Sequence, residues 1–274
     1  MSITAAEVNK LRKQTGAGMM DCKKALTEAE GDFDKAIEIL RLKGQKVAAK
    51  RGDRETSEGA VLATANAAGD FGVLVSLNCE TDFVAKNEEF VGVATNIMNV
   101  ALEGGITDKA ALLAAGYPGE GISIEEKITE QIGKIGEKIE VGSFHTLNAA
   151  HVAAYIHPGN RLATLVGFSA NVGDGGRDVA MQAAAMAPVA LNEDSIPADL
   201  IEKEKAIGKE LAIQEGKPEE MADRIAEGRL KKWFKEATLV NQAFIKDSKV
   251  NVAQYVQSLN GDATVTGFCR EALD

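Results

Sequence analysis

The same order of predicted elements occurs twice along this chain, and that repetition constrains the fold more than any other feature. In the first copy, apolar runs at residues 60–62 and 71–75 flank a Gly69-Asp70 turn, which is a β-hairpin signal. Apolar residues at helical spacing follow, and residues 139–144 form another strand-like run. The order of strand, strand, helix and strand predicts an α+β unit with an antiparallel sheet.

The second copy begins near residue 150. Its segments are strands at 152–156 and 162–168 around a Pro-Gly-Asn turn, a helix at 180–189 and a closing strand at 264–268. Two similar subdomains, 59–149 and 150–274, are the simplest account of the duplicated order. The predicted fold class is therefore α+β, with a core of two subdomains.

An insertion at residues 196–235 distinguishes the second copy. It is rich in Glu and Lys, and a Gly-Lys-Pro turn at 216–218 separates two helical stretches. The pattern predicts an antiparallel helical hairpin, a coiled-coil arm that projects from the core. Its apolar seam is predicted to consist of Leu200, Ile207, Leu211, Met221 and Ile225.

Residues 1–45 are predicted to form three short helices. Thr4 and Glu7 have the spacing of a capping box, and Gly31 and Asp32 separate the second helix from the third. The charged segment 46–58 is interpreted as a linker, with a basic first half that can form one more helical turn.

The charge balance and the cysteines indicate the class of partner and the compartment. A formal net charge of −10 disfavours direct nucleic-acid binding, which requires an excess of Lys and Arg. No apolar run approaches the roughly 20 residues that span a bilayer, and the first residues lack the apolar core of a signal peptide. Cys22, Cys79 and Cys269 are scattered, as expected of free thiols. We expect a cytoplasmic protein with no membrane partner.

The sequence offers no candidate catalytic site. His145, His151 and His157 lack the spacing of metal ligands, and we expect them at strand ends in structural or surface roles. No phosphate-loop, nucleophile-elbow or zinc-helix motif is present, and the glycines at 173–176 are typical of an ordinary turn. We therefore predict a protein that is not an enzyme, without a metal or other cofactor.

Two methionines follow a Gly-rich turn near the amino terminus. Met19 and Met20 are compatible either with core packing or with an adaptable binding surface. Arg12, on the polar face of the first predicted helix, either flanks such a surface or is a solvated charge.

An aromatic residue also occupies a connection that should be polar. Residues 78–87 join a predicted strand to a helix and include Phe83. If the ring is exposed, it is a candidate wedge at an interface. In the other interpretation, Asp82 caps the following helix and Phe83 folds back into the core.

Two motifs resemble the signatures of the elongation factor Ts family. They are TGAGMMDCKKALTEAEGD at residues 15–32 and NCETDFVAKNEEF at residues 78–90. The resemblance continues through the hairpin at 157–166, the Glu-Gly-Arg run at 227–229 and the Val-Thr-Gly-Phe run at 265–268. It covers nearly the whole chain.

The resemblance implies a guanine-nucleotide exchange factor for the GTPase elongation factor Tu. It implies a ubiquitin-associated-like amino-terminal domain that grips the partner's nucleotide domain through Arg12, Met19 and Met20. A loop that dislodges magnesium is implied to contain Thr81, Asp82, Phe83 and Val84. His157 matches a histidine of the second subdomain that contacts another domain of the GTPase.

Two departures from the family pattern bear on these roles. The sequence stops at Asp274, whereas some members continue with a helical module that contacts the GTPase, so we expect that contact to be absent. Pro158 follows His157 directly and is expected to alter the local backbone.

Two other functions are alternatives to nucleotide exchange. The three-helix module alone suggests a ubiquitin-binding or general adaptor protein, which would not require a duplicated core with an aromatic loop. A hydrolase or transferase would require a converging nucleophile, base and orienting group, and the sequence has none.

Overall fold

A computed structural model describes residues 3–273 of the chain. The outer ends of the predicted segments 1–45 and 150–274 therefore lie outside the described residues. The fold mixes helices with small antiparallel sheets, as the α+β prediction requires.

Three helices form the amino-terminal part of the described chain: α1 Ala5–Thr15, α2 Met19–Glu28 and α3 Phe33–Lys50. The predicted capping box is present, since the Thr4 side chain accepts from the Glu7 amide while the Glu7 side chain accepts from the Thr4 amide. Gly16 ends α1 in a left-handed conformation with φ 67°. The helices enclose their own small core, which contains Val8, Leu11, Cys22, Ala25, Leu26, Ala29 and Ala36.

Helix α3 includes the additional turn that the sequence analysis allowed in the basic half of segment 46–58. It continues to Lys50, through the first part of the segment interpreted as a linker. The extra turns persist because Val47 and Ala48 pack against the core of the first sheet. The amino-terminal helices therefore contact the core directly, through the last turns of α3.

The first sheet has the strand order β1-β2-β3 and is antiparallel. Its strands are β1 Glu58–Ala65, β2 Phe71–Cys79 and β3 Glu140–Asn148. Between β2 and β3 the chain forms α4 Asp82–Ala85, α5 Glu88–Glu103, α6 Lys109–Ala114 and α7 Ile124–Ile135. The apolar sides of these helices cover one face of the sheet around buried Val75, Phe90, Ile97 and Ile124.

The second sheet repeats this arrangement with the order β4-β5-β8. Its strands are β4 His151–Ile156, β5 Leu162–Phe168 and β8 Val265–Ala272, and its covering helix is α8 Gly175–Met186. Helix α8 ends at Met186, before the predicted helix end at residue 189, because Ala187 adopts a left-handed conformation with φ 41°. A small hairpin of β6 Ala243–Phe244 and β7 Asp247–Asn251, followed by α11 Val252–Leu259, was not predicted.

The two sheets pack against each other through a separate apolar cluster. It contains Val61, Ala63, Leu74, Val152, Ala163 and Leu165. Gly72 permits close contact, because a Cβ there would lie 2.7 Å from a methyl carbon of Val152.

Helices α9 Ala198–Gln214 and α10 Glu219–Ala237 form an antiparallel hairpin. The predicted seam of large apolar residues is wrong at Ile207, Leu211 and Met221, which are exposed. Its other two members, Leu200 and Ile225, are half-buried. Small residues lie between the helices instead, namely Gly208, Ala212, Ala222 and Ala226. A Cβ at Gly208 would lie 3.4 Å from the Ala226 Cα, and this close approach excludes larger side chains. None of the helices within residues 3–273 has the length and apolar character needed to cross a membrane.

Candidate interface around the Phe83 turn

Phe83 lies on the surface of the protein. It is 83% exposed, so the interpretation in which its ring folds back into the core is wrong. An exposed ring of this size on a short turn is a candidate anchor for another protein.

The turn that carries Phe83 is held in place from its other side. Thr81 is the N-cap of α4, and its hydroxyl accepts from the Val84 amide at 3.5 Å. Val84 and Ala85 pack against the core of the first sheet. Because consecutive residues of a helix point in different directions, this packing leaves Phe83 facing solvent.

Asp82 is the first residue of α4 and does not cap it, since Thr81 has that role. Its carboxylate pairs with the Lys86 ammonium at 2.6 Å, one turn along the chain. This hydrogen bond is the largest of the effects that lower the pKa of Asp82, so the carboxylate is charged at neutral pH. A negative charge therefore lies next to the exposed ring.

Two glutamates that sequence reasoning missed fix the start of the turn. Glu137 accepts from the Glu80 amide at 3.2 Å, from the Thr81 amide at 3.1 Å and from the Thr81 hydroxyl at 2.7 Å. Glu80 in turn accepts from the Lys138 amide at 2.6 Å and from the Arg51 guanidinium at 2.8 Å. We call this reciprocal arrangement of Glu80 and Glu137 the crossed clamp.

The surroundings of the crossed clamp favour the charged form of Glu80. Partial burial alone would raise the pKa of this carboxyl, but the hydrogen bonds from the Lys138 amide and from Arg51 outweigh it and lower the pKa. Since Arg51 follows the last residue of α3, Glu80 also connects the Phe83 turn to the amino-terminal helices.

Cys79, at the end of β2, lies beneath the same turn. Its thiol is within 3.3 Å of the Thr81 carbonyl oxygen, to which it donates. Burial, followed by the nearby Glu137 charge, raises its pKa to about 12. Cys79 is therefore a protonated structural thiol.

The other predicted surface lies at the turn between α1 and α2. Met19 and Met20 begin α2 and are 51% and 64% exposed, which excludes the core interpretation. Arg12, in the last turn of α1, is exposed as well. These three side chains belong to adjacent ends of two helices joined by a short Gly-rich turn.

Lys134 of α7 lies between this turn and the Phe83 turn. A Cβ at Gly16 would lie 3.0 Å from the Lys134 ammonium, so the lysine packs directly on the α1–α2 turn. Its ammonium also pairs with Glu89, in the first turn of α5. Lys134 and Glu89 line a shallow depression together with Phe83 and Val84. The structure therefore brings the two predicted surfaces to either side of one lysine.

Two glycines allow this arrangement at a close crossing of α3 and α7. A Cβ at Gly44 would lie 2.7 Å from the Thr129 carbonyl oxygen, and one at Gly133 would lie 3.0 Å from the Gly44 Cα. Ion pairs of Arg41 with Glu130 and of Lys43 with Asp21 flank the crossing and hold α3 against its neighbours.

His157 lies on the second sheet, at the exposed turn that follows β4. Its Nδ1 is 3.0 Å from the hydroxyl of Tyr155 in β4, a contact that the sequence analysis missed. The next residues attach this turn to the first sheet, because the Val61 amide donates to the Asn160 carbonyl at 2.7 Å and Arg161 pairs with Glu58. The backbone contains no cis peptide bond within residues 3–273, so Pro158 follows His157 in the trans form.

The remaining histidines take part in packing and surface contacts. His145 lies within β3, past the predicted strand end, and its Nε2 is 3.8 Å from Glu271. His151 begins β4 and its ring is 5.8 Å from that of Phe168. Residues 3–273 contain no group of three or more His, Cys, Asp or Glu side chains arranged to hold a metal ion.

Comparisons with known proteins assign the chain to a family. The family model described as elongation factor TS matches residues 80–273, which begin in the crossed clamp and include the Phe83 turn. The chain is 57% identical to elongation factor Ts of Christiangramia forsetii, over 99% of this chain and 98% of that protein. It is 54% identical to elongation factor Ts of Flavobacterium psychrophilum, over 99% of each. Identity to elongation factor Ts of Porphyromonas gingivalis is 47%, over 100% of this chain and 99% of that protein. The chain therefore belongs to the elongation factor Ts family.

Proposed function

We propose that this chain is a guanine-nucleotide exchange factor that binds elongation factor Tu with GDP and accelerates GDP release during translation elongation. The observation that carries the proposal is the exposed ring of Phe83 on a turn whose start is held by hydrogen bonds to Glu137. Family membership supports the same activity. A role in translation elongation places the protein in the cytoplasm.

The exchange activity requires no covalent chemistry of the factor. A GTPase holds GDP through phosphate-loop amides and a magnesium ion, so a protein that disturbs either contact weakens nucleotide binding. Factor and nucleotide then oppose each other, because a factor that raises the dissociation constant of GDP must itself bind more weakly by the same ratio when GDP is present. The factor is thus not an enzyme in this proposal, and it needs no cofactor of its own.

The turn that contains Thr81, Asp82, Phe83 and Val84 is the part that displaces magnesium. Phe83 inserts as a wedge between elements of the GTPase, and Val84 anchors the turn from inside the factor. The charged Asp82 beside the ring either supports the turn or perturbs the metal environment of the partner. Thr81 fixes the start of the turn.

The amino-terminal helices bind the nucleotide domain of the GTPase as a ubiquitin-associated-like domain. Arg12, Met19 and Met20 provide the contact, and their exposure supports this role. His157 contacts a different domain of the GTPase from the second subdomain. The α9–α10 hairpin is the coiled-coil arm of the family. The acidic balance of the chain supports a protein partner and not a nucleic acid.

The alternative is an adaptor that binds through its three helices and has no exchange activity. It is not favoured, because it leaves the exposed Phe83 and its supports without a role. The two functions differ in one measurement, which is the rate at which a fluorescent GDP analogue leaves elongation factor Tu. An exchange factor raises this rate with concentration until it saturates, whereas an adaptor that binds without changing the rate would refute the proposal.

A further inference from the structure

Glu137 directs its carboxylate away from its own loop and forms hydrogen bonds with the start of the Phe83 turn. It follows Gly136, which ends α7 in a left-handed conformation with φ 84° and directs the chain toward the turn. The Glu137 carboxylate then accepts hydrogen bonds from two backbone amides and one hydroxyl, all in residues 80–81. These groups are 56 or 57 residues away in the sequence.

The contact with Thr81 determines the direction of that hydroxyl. A threonine hydroxyl has one proton to donate and two lone pairs that accept. Because Thr81 donates its proton to Glu137, its oxygen is free to accept from the Val84 amide and cap α4. Hydrogen bonds linked in this way strengthen one another.

We propose that Glu137 is a positioning residue for nucleotide exchange, which holds the α4 turn in the orientation that presents Phe83 to the GTPase. This inference rests on the proposed function and assigns Glu137 a role in the same site. It does not require that Glu137 touch the partner, because its carboxylate is directed at the base of the turn. Its contribution is to keep the ring where it can insert.

Substitutions at Glu137 and Thr81 can separate a positioning role of the Glu137 carboxylate from a direct effect of its negative charge. In Glu137→Gln, the amide oxygen can still accept from both backbone amides, and the amide NH₂ can donate to the Thr81 hydroxyl. This variant keeps the geometry and loses the negative charge. Glu137→Ala removes both, and Thr81→Val removes the hydroxyl alone.

The experiment measures release of a fluorescent GDP analogue from elongation factor Tu, at saturating factor and well below the melting temperature of each variant. We expect Glu137→Ala to slow stimulated release by about tenfold, since small displacements of a positioned group have large kinetic effects. Glu137→Gln should retain most of the wild-type rate, and Thr81→Val should fall between the two. Glu103→Ala, which removes an exposed carboxylate at the end of α5, is the matched control and should leave the rate unchanged.

A double-mutant cycle with Phe83→Ala gives the decisive result. If Glu137 acts through the ring, Glu137→Ala should lower the rate by less than about twofold in the Phe83→Ala background, because the two changes remove the same interaction. Full additivity of the two losses would overturn the inference, and so would a Glu137→Gln variant as slow as Glu137→Ala. Should Glu137→Ala fail to fold, Thr81→Val in the same cycle replaces it. If Phe83→Ala alone leaves release unchanged, the proposed function of the turn fails; if only Glu137→Ala does, the positioning role alone fails.

Discussion

Phe83→Ala separates a role at an interface from a role in folding. With Phe83 83% exposed, folding removes less than a fifth of the residue from water. This corresponds to about 0.3–0.5 kcal/mol of folding free energy, if full burial of a Phe contributes about 1.5–3 kcal/mol. For a chain of this size, the melting temperature should fall by only about 1–2 °C.

The expected effect on exchange is much larger. An aromatic anchor at a protein interface typically contributes at least about 2 kcal/mol. If that free energy is realised in the step that releases GDP, its loss slows stimulated release by about thirtyfold. Stopped-flow fluorescence of a GDP analogue on elongation factor Tu measures this rate directly.

Phe90→Ala provides the matched control, because Phe90 lies seven residues further on and is 1% exposed. Its truncation leaves a cavity in the core of the first sheet and should cost about 3–5 kcal/mol of stability. If Phe83→Ala melted as early as Phe90→Ala but still stimulated release at the wild-type rate, the reasoning from exposure to function would be refuted.

Four further perturbations test other parts of the structure. Gly44→Ala places a Cβ 2.7 Å from the Thr129 carbonyl oxygen, so it should cost about 1–3 kcal/mol in chemical denaturation and weaken binding to the GTPase in calorimetry. Gly228→Ala on α10 is the control, because a Cβ there meets nothing within 4 Å, and it should be neutral or stabilising by up to about 1 kcal/mol. Equal effects of Gly44→Ala and Gly228→Ala on stability would contradict the close crossing of α3 and α7. Replacement of residues 198–236 by a short Gly-containing link should remove helical signal from circular dichroism and leave the rest of the melting transition intact, whereas global unfolding would mean that the hairpin supports the core. The folded-state pKa of Glu80 is lowered, so its stabilising contribution is full above the ordinary glutamate pKa and is lost as pH falls through the folded value. The difference in unfolding free energy between wild type and Glu80→Gln should therefore be constant near pH ~7 and shrink toward pH ~4, and a difference that grows on acidification would show that the sign is wrong.

The apolar runs of the sequence predict the two sheets because buried strands require them. The run at 162–168 coincides with β5, whose residues after the first are all buried. Strand β3 continues beyond its predicted end at Phe144. The apolar pattern does not reveal this second half, because its residues are exposed or half-buried and several are polar. The β6–β7 hairpin escaped prediction for the same reason, since β7 is exposed at its first three positions.

The hairpin of α9 and α10 illustrates a limit of apolar periodicity. Leu and Ile recur at heptad spacing, but the helices meet along Gly208 and Ala226. Each helix has one stripe of large apolar residues and one stripe of small residues, and either stripe could face the partner helix. The distance between the two helices decides which stripe is buried. Small residues carry little weight in a hydrophobic pattern, although they permit the closest contact.

The candidate site could be located from the sequence but not explained by it. The motif at 78–90 draws attention to Phe83, whereas exposure of the ring depends on Val84 packing into a core built from distant strands and helices. Glu137 carries no local signal at all, because its three hydrogen bonds join segments separated by 56 or 57 residues. A polar residue after a helix-ending glycine is an ordinary loop residue until tertiary structure brings it to Thr81.

The support beneath Phe83 matters for the thermodynamics of exchange. The factor can displace GDP only by the difference between its affinities for the nucleotide-bound and nucleotide-free GTPase. If the four residues of α4 were unfolded in the free factor, ordering them on binding would cost roughly 1–2 kcal/mol per residue. That total is comparable to the free energy that a single aromatic anchor contributes, which is roughly 2 kcal/mol or more. The cost of ordering a flexible turn would therefore offset much of the binding free energy of its ring. Because Thr81, Val84 and Glu137 order the turn during folding, the contact of the ring is available in full to oppose the nucleotide.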